Sequence, residues 1–267
     1  MDPRHQAVDE RLVEGGCVYC GCAFVDAREL ERLRVEGPED QLDEAANRQR
    51  TRDHVPSRAL LDEPFPPNLP VVECCHACNN GFSLDEQYLV CLLECVVSGG
   101  TEPDLFERTR VARILRESAA LRERITATRR EGVTGPAWEM DRQRVQKVVM
   151  KLARGHVAFE EYPRLSEPAS VNFVPLLLMS PETRCRFESG YDGSPLLPEV
   201  GSRALGRIAQ DASGSVWVDV QPGRYRYALT ADSTGVSVRL VIREYLACSV
   251  SWACREVWDL PNQGSRQ

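Results

Sequence analysis

With 267 residues, 42% of them hydrophobic and 27% charged, the chain can bury a sizeable core, and its composition excludes the disordered and fibrous classes. A net charge of −7 excludes a protein that coats nucleic acid through a generally basic surface, although it leaves room for a local basic groove. The longest apolar runs, 88–97 and 171–179, are broken by Glu94 and Pro175 and fall short of the roughly 20 residues a bilayer demands. The opening Met1-Asp2-Pro3-Arg4-His5 has neither the basic nor the apolar stretch of a secretion signal, so a cytoplasmic protein without membrane contact is expected.

In chain order, Gly15-Gly16 opens a turn-forming stretch that leads into Cys17-Val18-Tyr19-Cys20-Gly21, a CxxCG knuckle suited to bound thiolates. Residues 27–36 and 42–50 read as solvated helices on either side of Gly37-Pro38. Thr51-Arg52-Asp53-His54-Val55-Pro56 reads as an extended run ended by proline, 62–70 as a proline-rich loop, and Val71-Val72 as a short strand entering a second knuckle, Cys75-His76-Ala77-Cys78. A helix is expected from Asn79 to just before Ser98-Gly99-Gly100, since Leu84, Tyr88, Cys91, Leu92 and Cys95 recur at helical spacing. Two further helices are expected over 104–130 and 140–154. Short β-branched and aromatic runs at 171–179, 216–220, 224–230, 236–241 and 245–252 predict an antiparallel β region. The composition divides the chain into 1–100, a helical 101–165 and a β-rich 166–267.

Eight of the eleven cysteines precede residue 96, while Cys185, Cys248 and Cys254 read as isolated core thiols. Cys17, Cys20, Cys75 and Cys78 supply the four thiolates of a closed tetrahedral zinc site. Cys22 and Cys74 read as bystanders, with Cys74-x3-Cys78 and a His76 ligand as less regular alternatives. Such a zinc would bring Asp53 near Asn79, and a carboxylate with a carboxamide suits a hard ion, Mg²⁺ or Mn²⁺. A helix starting at Asn79 would also favour a phosphate oxygen there. The plainer reading of Asn79 is a helix N-cap, and of Asp85 and Glu86, acids on a solvated face.

The order Cys-x-x-Cys, Asp-His-Val-Pro, Asn-Leu, Cys-x-x-Cys-Asn-Asn-Gly resembles the HNH (ββα-metal) endonucleases over about 15–97, in the variant with asparagine for the last histidine, and is similar in layout to endonuclease VII-type nucleases. A weaker similarity covers 147–163. The resemblance implies an α+β protein built on a zinc-stabilised, treble-clef-like ββα-metal module that hydrolyses phosphodiesters, of DNA rather than RNA. It implies His54 as general base, Asp53 and Asn79 as ligands of a catalytic Mg²⁺ or Mn²⁺, Asn68 as the residue that ties down the loop beside His54, and a structural Zn²⁺ on the four cysteines. An unperturbed imidazole titrates near 6.5, which suits a base at cellular pH. Adjacent residues of a regular strand face opposite ways, so Asp53 and His54 require irregularity there to serve one ion. Asparagine also leaves room for another carboxylate, Asp85 or Glu86.

Residues 105–154 gather thirteen Arg and Lys against six acids, either a phosphate-tracking surface or ordinary pairing such as Arg113 with Glu117. His5 and His156 read as structural or incidental, and Trp217, Trp252, Trp258, Tyr225 and Tyr227 as β-core packing. The alternative function is a non-catalytic zinc-stabilised module that binds nucleic acid or protein.

Overall fold

Helix α1 (Ala27–Glu36) begins where the Asp26 carboxylate accepts the Glu29 N–H at 2.7 Å, and α2 (Glu39–Asn47) follows Pro38. Leu30 and Ala45 are their buried residues, so both helices lie on the surface as their polar sequences require. The computed structural model describes residues 16–132, 135–160, 168, 170–189, 216–232 and 235–253. Strand β1 (Arg50–His54) pairs antiparallel with β2 (Val71–Cys75), Asp53 opposite Val72 and His54 opposite Val71. The loop between them makes a 3-10 turn at Arg58–Leu60 and is closed by the Val55 N–H on the Pro70 carbonyl at 2.9 Å.

The helix expected from Asn79 starts earlier and is broken: α3 (His76–Gly81) is followed across Phe82 by α4 (Ser83–Ser98). The Cys75 sulfur caps α3 by accepting the Cys78 N–H, and at its other end the Asn80 carbonyl accepts from the Phe82 N–H and from the Ser83 hydroxyl at 2.7 Å. Asn79 therefore lies inside α3 and is not its N-cap, and α3 is too short to offer a phosphate-binding terminus. Gly99, at φ 75°, ends α4 in the left-handed region.

The helix expected over 104–130 is two, α5 (Thr109–Glu117) and α6 (Ala119–Ala127), separated at Ser118, whose φ −112° and ψ 82° leave the helical region. An unanticipated hairpin follows, β3 (Arg129–Gly132) with β4 (Gly135–Trp138); β3 is exposed throughout and so carries no apolar alternation to read. Helix α7 (Arg142–Phe159) is capped by Asp141. Strand β5 (Ser170–Pro175) stops at its proline, and α8 (Pro181–Glu188), capped by Ser180, was also not expected. Strands β6 (Trp217–Gln221), β7 (Tyr225–Asp232), β8 (Gly235–Ile242) and β9 (Leu246–Ala253) complete a five-stranded antiparallel sheet ordered β5-β9-β8-β7-β6. The protein is thus α+β with antiparallel sheets. No described helix is long and apolar enough to cross a membrane.

The main core packs α4, α5 and α7 against the five-stranded sheet, with Leu89, Leu92, Leu115, Val148, Leu152, Leu240 and Val250 at its centre. A second, small cluster joins Cys17, Tyr19, Val55, Val72, Cys74 and Cys75 to Ala158 of α7. His156 is buried, 2.8 Å from the Tyr225 hydroxyl and stacked 3.8 Å from the Tyr227 ring, a structural histidine. Tyr225, Tyr227, Trp252 and Cys248 are buried as expected. Cys185 instead is exposed, because α8 buries only Phe187; His5, Cys254 and Trp258 lie outside the described residues.

Helix α7 reaches the β1–β2 hairpin through Gly155. Alanine is ordinarily the better helix former by about 1 kcal/mol, but a Cβ on Gly155 would stand 2.7 Å from Cγ2 of the buried, β-branched Val55. Gly155→Ala is therefore expected to cost about 1–3 kcal/mol, read as a lowered urea midpoint. A raised midpoint would mean that Val55 moves aside freely.

Candidate functional site

The first knuckle is a tight turn in which the Gly21 N–H donates to the Cys17 carbonyl and the Cys17 N–H to the Cys22 carbonyl. Gly16, at φ 78°, must lack a side chain, since a Cβ would collide with the Cys22 carbonyl. The second knuckle sits where β2 turns into α3. Between them, the sulfurs of Cys17, Cys20, Cys75 and Cys78 lie within 4.8 Å of one another, and Cys20 is 3.8 Å from Cys75. A tetrahedron of thiolates at Zn–S of about 2.3 Å has edges of about 3.8 Å. These four cysteines fit a structural metal ion such as zinc. A hydrogen bond from Cys78 pulls the Cys17 thiol down to about 4, while the same contact pushes Cys78 up. Sulfurs this close ionise together only around a cation. The alternative ligands are turned to other partners: Cys74 meets the Thr51 hydroxyl at 3.3 Å, and His76 meets the Asn80 amide at 2.9 Å.

The same knuckle carries Tyr19, whose hydroxyl donates to Asp53 Oδ2 at 2.8 Å. Lys151 of α7 places its Nζ 2.8 Å from that same oxygen and 2.5 Å from Glu86 Oε1, and Ser57 donates to Glu86 Oε2 at 3.1 Å. Asp53, Glu86 and Lys151 are only 9%, 7% and 3% exposed. Burial raises the Glu86 pKa against the pull of Lys151. Burial alone would lower that of Lys151, yet Glu86 and Asp53 outweigh it and hold the ammonium charged. Burial, reinforced by Asp53, raises Tyr19 well above its ordinary value, so it remains a donor. The solvated-face reading of Asp85 and Glu86 fails, since both are buried; Asp85 is engaged by Arg144 at 3.5 Å and Lys147 at 3.6 Å.

Asp53, His54, Asn79 and Glu86 line one open cavity of about 530 Å³, with Arg58 and Arg110 on its walls. β1 keeps a regular register to its last residue, so the irregularity expected at Asp53-His54 does not occur within the strand; His54 ends β1, where the chain leaves for the loop. The Asn79 Nδ2 donates to the Thr51 hydroxyl at 3.3 Å and the Arg52 carbonyl at 3.4 Å, which fastens α3 to β1 through the amide nitrogen and not through the carboxamide oxygen. Asn68 is exposed in the turn before β2 and, among the described residues, makes no side-chain hydrogen bond; the loop is held by the Val55 N–H on the Pro70 carbonyl, by Arg108 on the Ala59 and Leu61 carbonyls and by Gln221 on the Asp62 main chain.

Much of the basic stretch is engaged. Arg108 is buried against Asp62 at 2.6 Å and donates to the Ala59 and Leu61 carbonyls, while Arg130 pairs with Glu139. Arg113 and Glu117 form no ion pair among the described residues. Arg110 is exposed and forms no ion pair among those residues. No protein-family model, curated protein or solved structure matches the chain. The chemistry of the site accordingly rests on its residues. Composition and spacing missed Tyr19, Ser57 and Lys151; the readable signal was a lysine set between Val148 and Leu152 on the apolar face of α7.

Proposed function

We propose that this cavity is the active site of an HNH-type endonuclease that hydrolyses phosphodiesters of DNA with Mg²⁺ or Mn²⁺. The observation that carries the reading is the convergence of Asp53, His54 and Asn79 on one cavity beside the four-cysteine cluster. The oxygen donors of Asp53 and Asn79 suit a hard divalent ion, and the thiolates a structural zinc. When bound, the hard ion supplies charge stabilisation to the phosphate and the leaving 3′ oxygen. His54 takes a proton from the attacking water, the new bond forms at phosphorus, and the P–O3′ bond breaks with its electron pair on the 3′ oxygen, which takes a proton from solvent, to leave a 5′ phosphate and a 3′ hydroxyl. Arg58 and Arg110, which also line the cavity, would meet the flanking phosphates.

The test is cleavage of plasmid and branched DNA in Mg²⁺ or Mn²⁺ by the zinc-loaded chain, beside a His54→Ala variant of equal zinc content. Cleavage by the wild type alone carries the reading. Equal cleavage by both removes His54 from the chemistry, and a wild type that binds DNA without cutting any substrate is the zinc-stabilised binding module. Arg110→Gln is expected to weaken DNA binding and to reduce the slope of log K against log salt by about 0.9, one phosphate contact, with the saturated single-turnover rate unchanged. An unaltered slope would place the DNA elsewhere.

A further inference from the structure

Lys151 is more buried than either carboxylate that it joins, and its Nζ faces the Tyr19 and Phe82 rings at 6.0 and 5.6 Å from their centroids. Lys151 does not line the cavity of Asp53 and His54; the pocket that it lines, with Tyr19 and Phe82, is a separate one. Its two close partners are the cavity residues Asp53 and Glu86. We propose that Lys151 is a positioning residue of the metal site: it holds Asp53 Oδ2 and fills the place between Asp53 and Glu86, so that the cavity takes one divalent cation and not two. This inference rests on the reading of the cavity as a metal-dependent active site.

Three observations support it. Asp53 Oδ2 already accepts from both Tyr19 and Lys151, which leaves Oδ1 as the oxygen for a metal. Both Glu86 oxygens are occupied, Oε1 by Lys151 and Oε2 by Ser57, so Glu86 lines the cavity without completing the ligand set. The charges of Asp53, Glu86 and Lys151 sum to −1. Without the ammonium they sum to −2 around a point that has one oxygen 2.8 Å and another 2.5 Å away. A hard divalent ion, which takes carboxylate oxygens at about 2.0–2.6 Å, needs only a small closing of the two side chains to occupy that point. Lys151 is in this sense a resident cation that keeps a second one out.

The experiment is Mn²⁺ binding to the zinc-loaded full chain, measured by equilibrium dialysis and electron paramagnetic resonance for the wild type, Lys151→Met, Lys151→Arg and Asp53→Asn. The wild type is expected to bind one Mn²⁺, lost in Asp53→Asn. Lys151→Met is expected to bind two, and Lys151→Arg, which keeps the charge, one. A single Mn²⁺ in Lys151→Met, whatever its affinity, overturns the proposal, as does a second ion in Lys151→Arg. If Lys151→Met fails to retain zinc and fold, the double variant Lys151→Met/Glu86→Gln removes one charge of each sign and decides instead. It is expected to bind one Mn²⁺ about tenfold more weakly, because Oδ2 has lost the charged one of its two donors and keeps only Tyr19, and unchanged affinity overturns the proposal. A wild type that binds no Mn²⁺, or Mn²⁺ binding indifferent to Asp53→Asn, defeats the metal-site reading itself and is distinguishable from every outcome above.

Discussion

Cys75→Ser is expected to melt the β1–β2 hairpin and both knuckles while the five-stranded sheet stays folded. The apolar cluster beneath the hairpin is small, and two of its members, Cys17 and Cys75, are themselves sulfurs of the four-cysteine site. In small zinc-dependent folds the metal contributes about 10–16 kcal/mol near pH 7, most of what holds them together. The larger core, with Leu92, Val148, Leu240 and Val250, does not draw on those sulfurs. Hydrogen exchange should therefore separate the two. Amides of Thr51 to His54 and Val71 to Cys75 lose protection when zinc is lost, whether by substitution or by a chelator, and those of β8 and β9 keep it. Persistent protection of β1 after complete zinc loss would show that the hairpin stands on α7 alone.

His54→Ala is expected to lower kcat by about 10² to 10⁴, the range for loss of a positioned general base. His54 closes β1 opposite Val71 and is half-buried on the cavity wall, so its removal takes away little of the hairpin's packing. Zinc content, urea midpoint, DNA affinity and Mn²⁺ stoichiometry are expected to match the wild type. The decisive comparison is the single-turnover rate at saturating metal. A loss smaller than tenfold would assign proton transfer to another group, and a loss accompanied by weaker Mn²⁺ binding would make His54 a ligand.

Legibility followed the range of the interactions. The cysteine pairs could be read because a knuckle is local geometry: each CxxC closes within its own turn, and two such turns leave few ways to complete a tetrahedron. Strands β6 to β9 were readable because short β-branched and aromatic runs broken by turn-forming residues are also local signals. The start of α3 was misread because its cap is the Cys75 thiol, a residue whose spacing pointed to metal rather than to a helix terminus. Lys151 was read as one more member of a basic stretch because what defines it lies far off in the chain, Glu86 being 65 residues away. Arg108 was hidden in the same way, its ion pair with Asp62 being set by how α5 meets the loop after β1.

Helix α7 presses Gly155 and Lys151 on the hairpin, sends Arg154 to the Tyr19 carbonyl at 2.6 Å, and through His156 and Glu160 takes hold of Tyr225 and Tyr227 on β7. A segment ending at Ser98, grafted into another protein, would carry every cysteine of the four-cysteine site together with Asp53, His54 and Asn79. It would still bring Asp53 and Glu86 face to face with no ammonium between them. Transplanting the site means transplanting α7 with it.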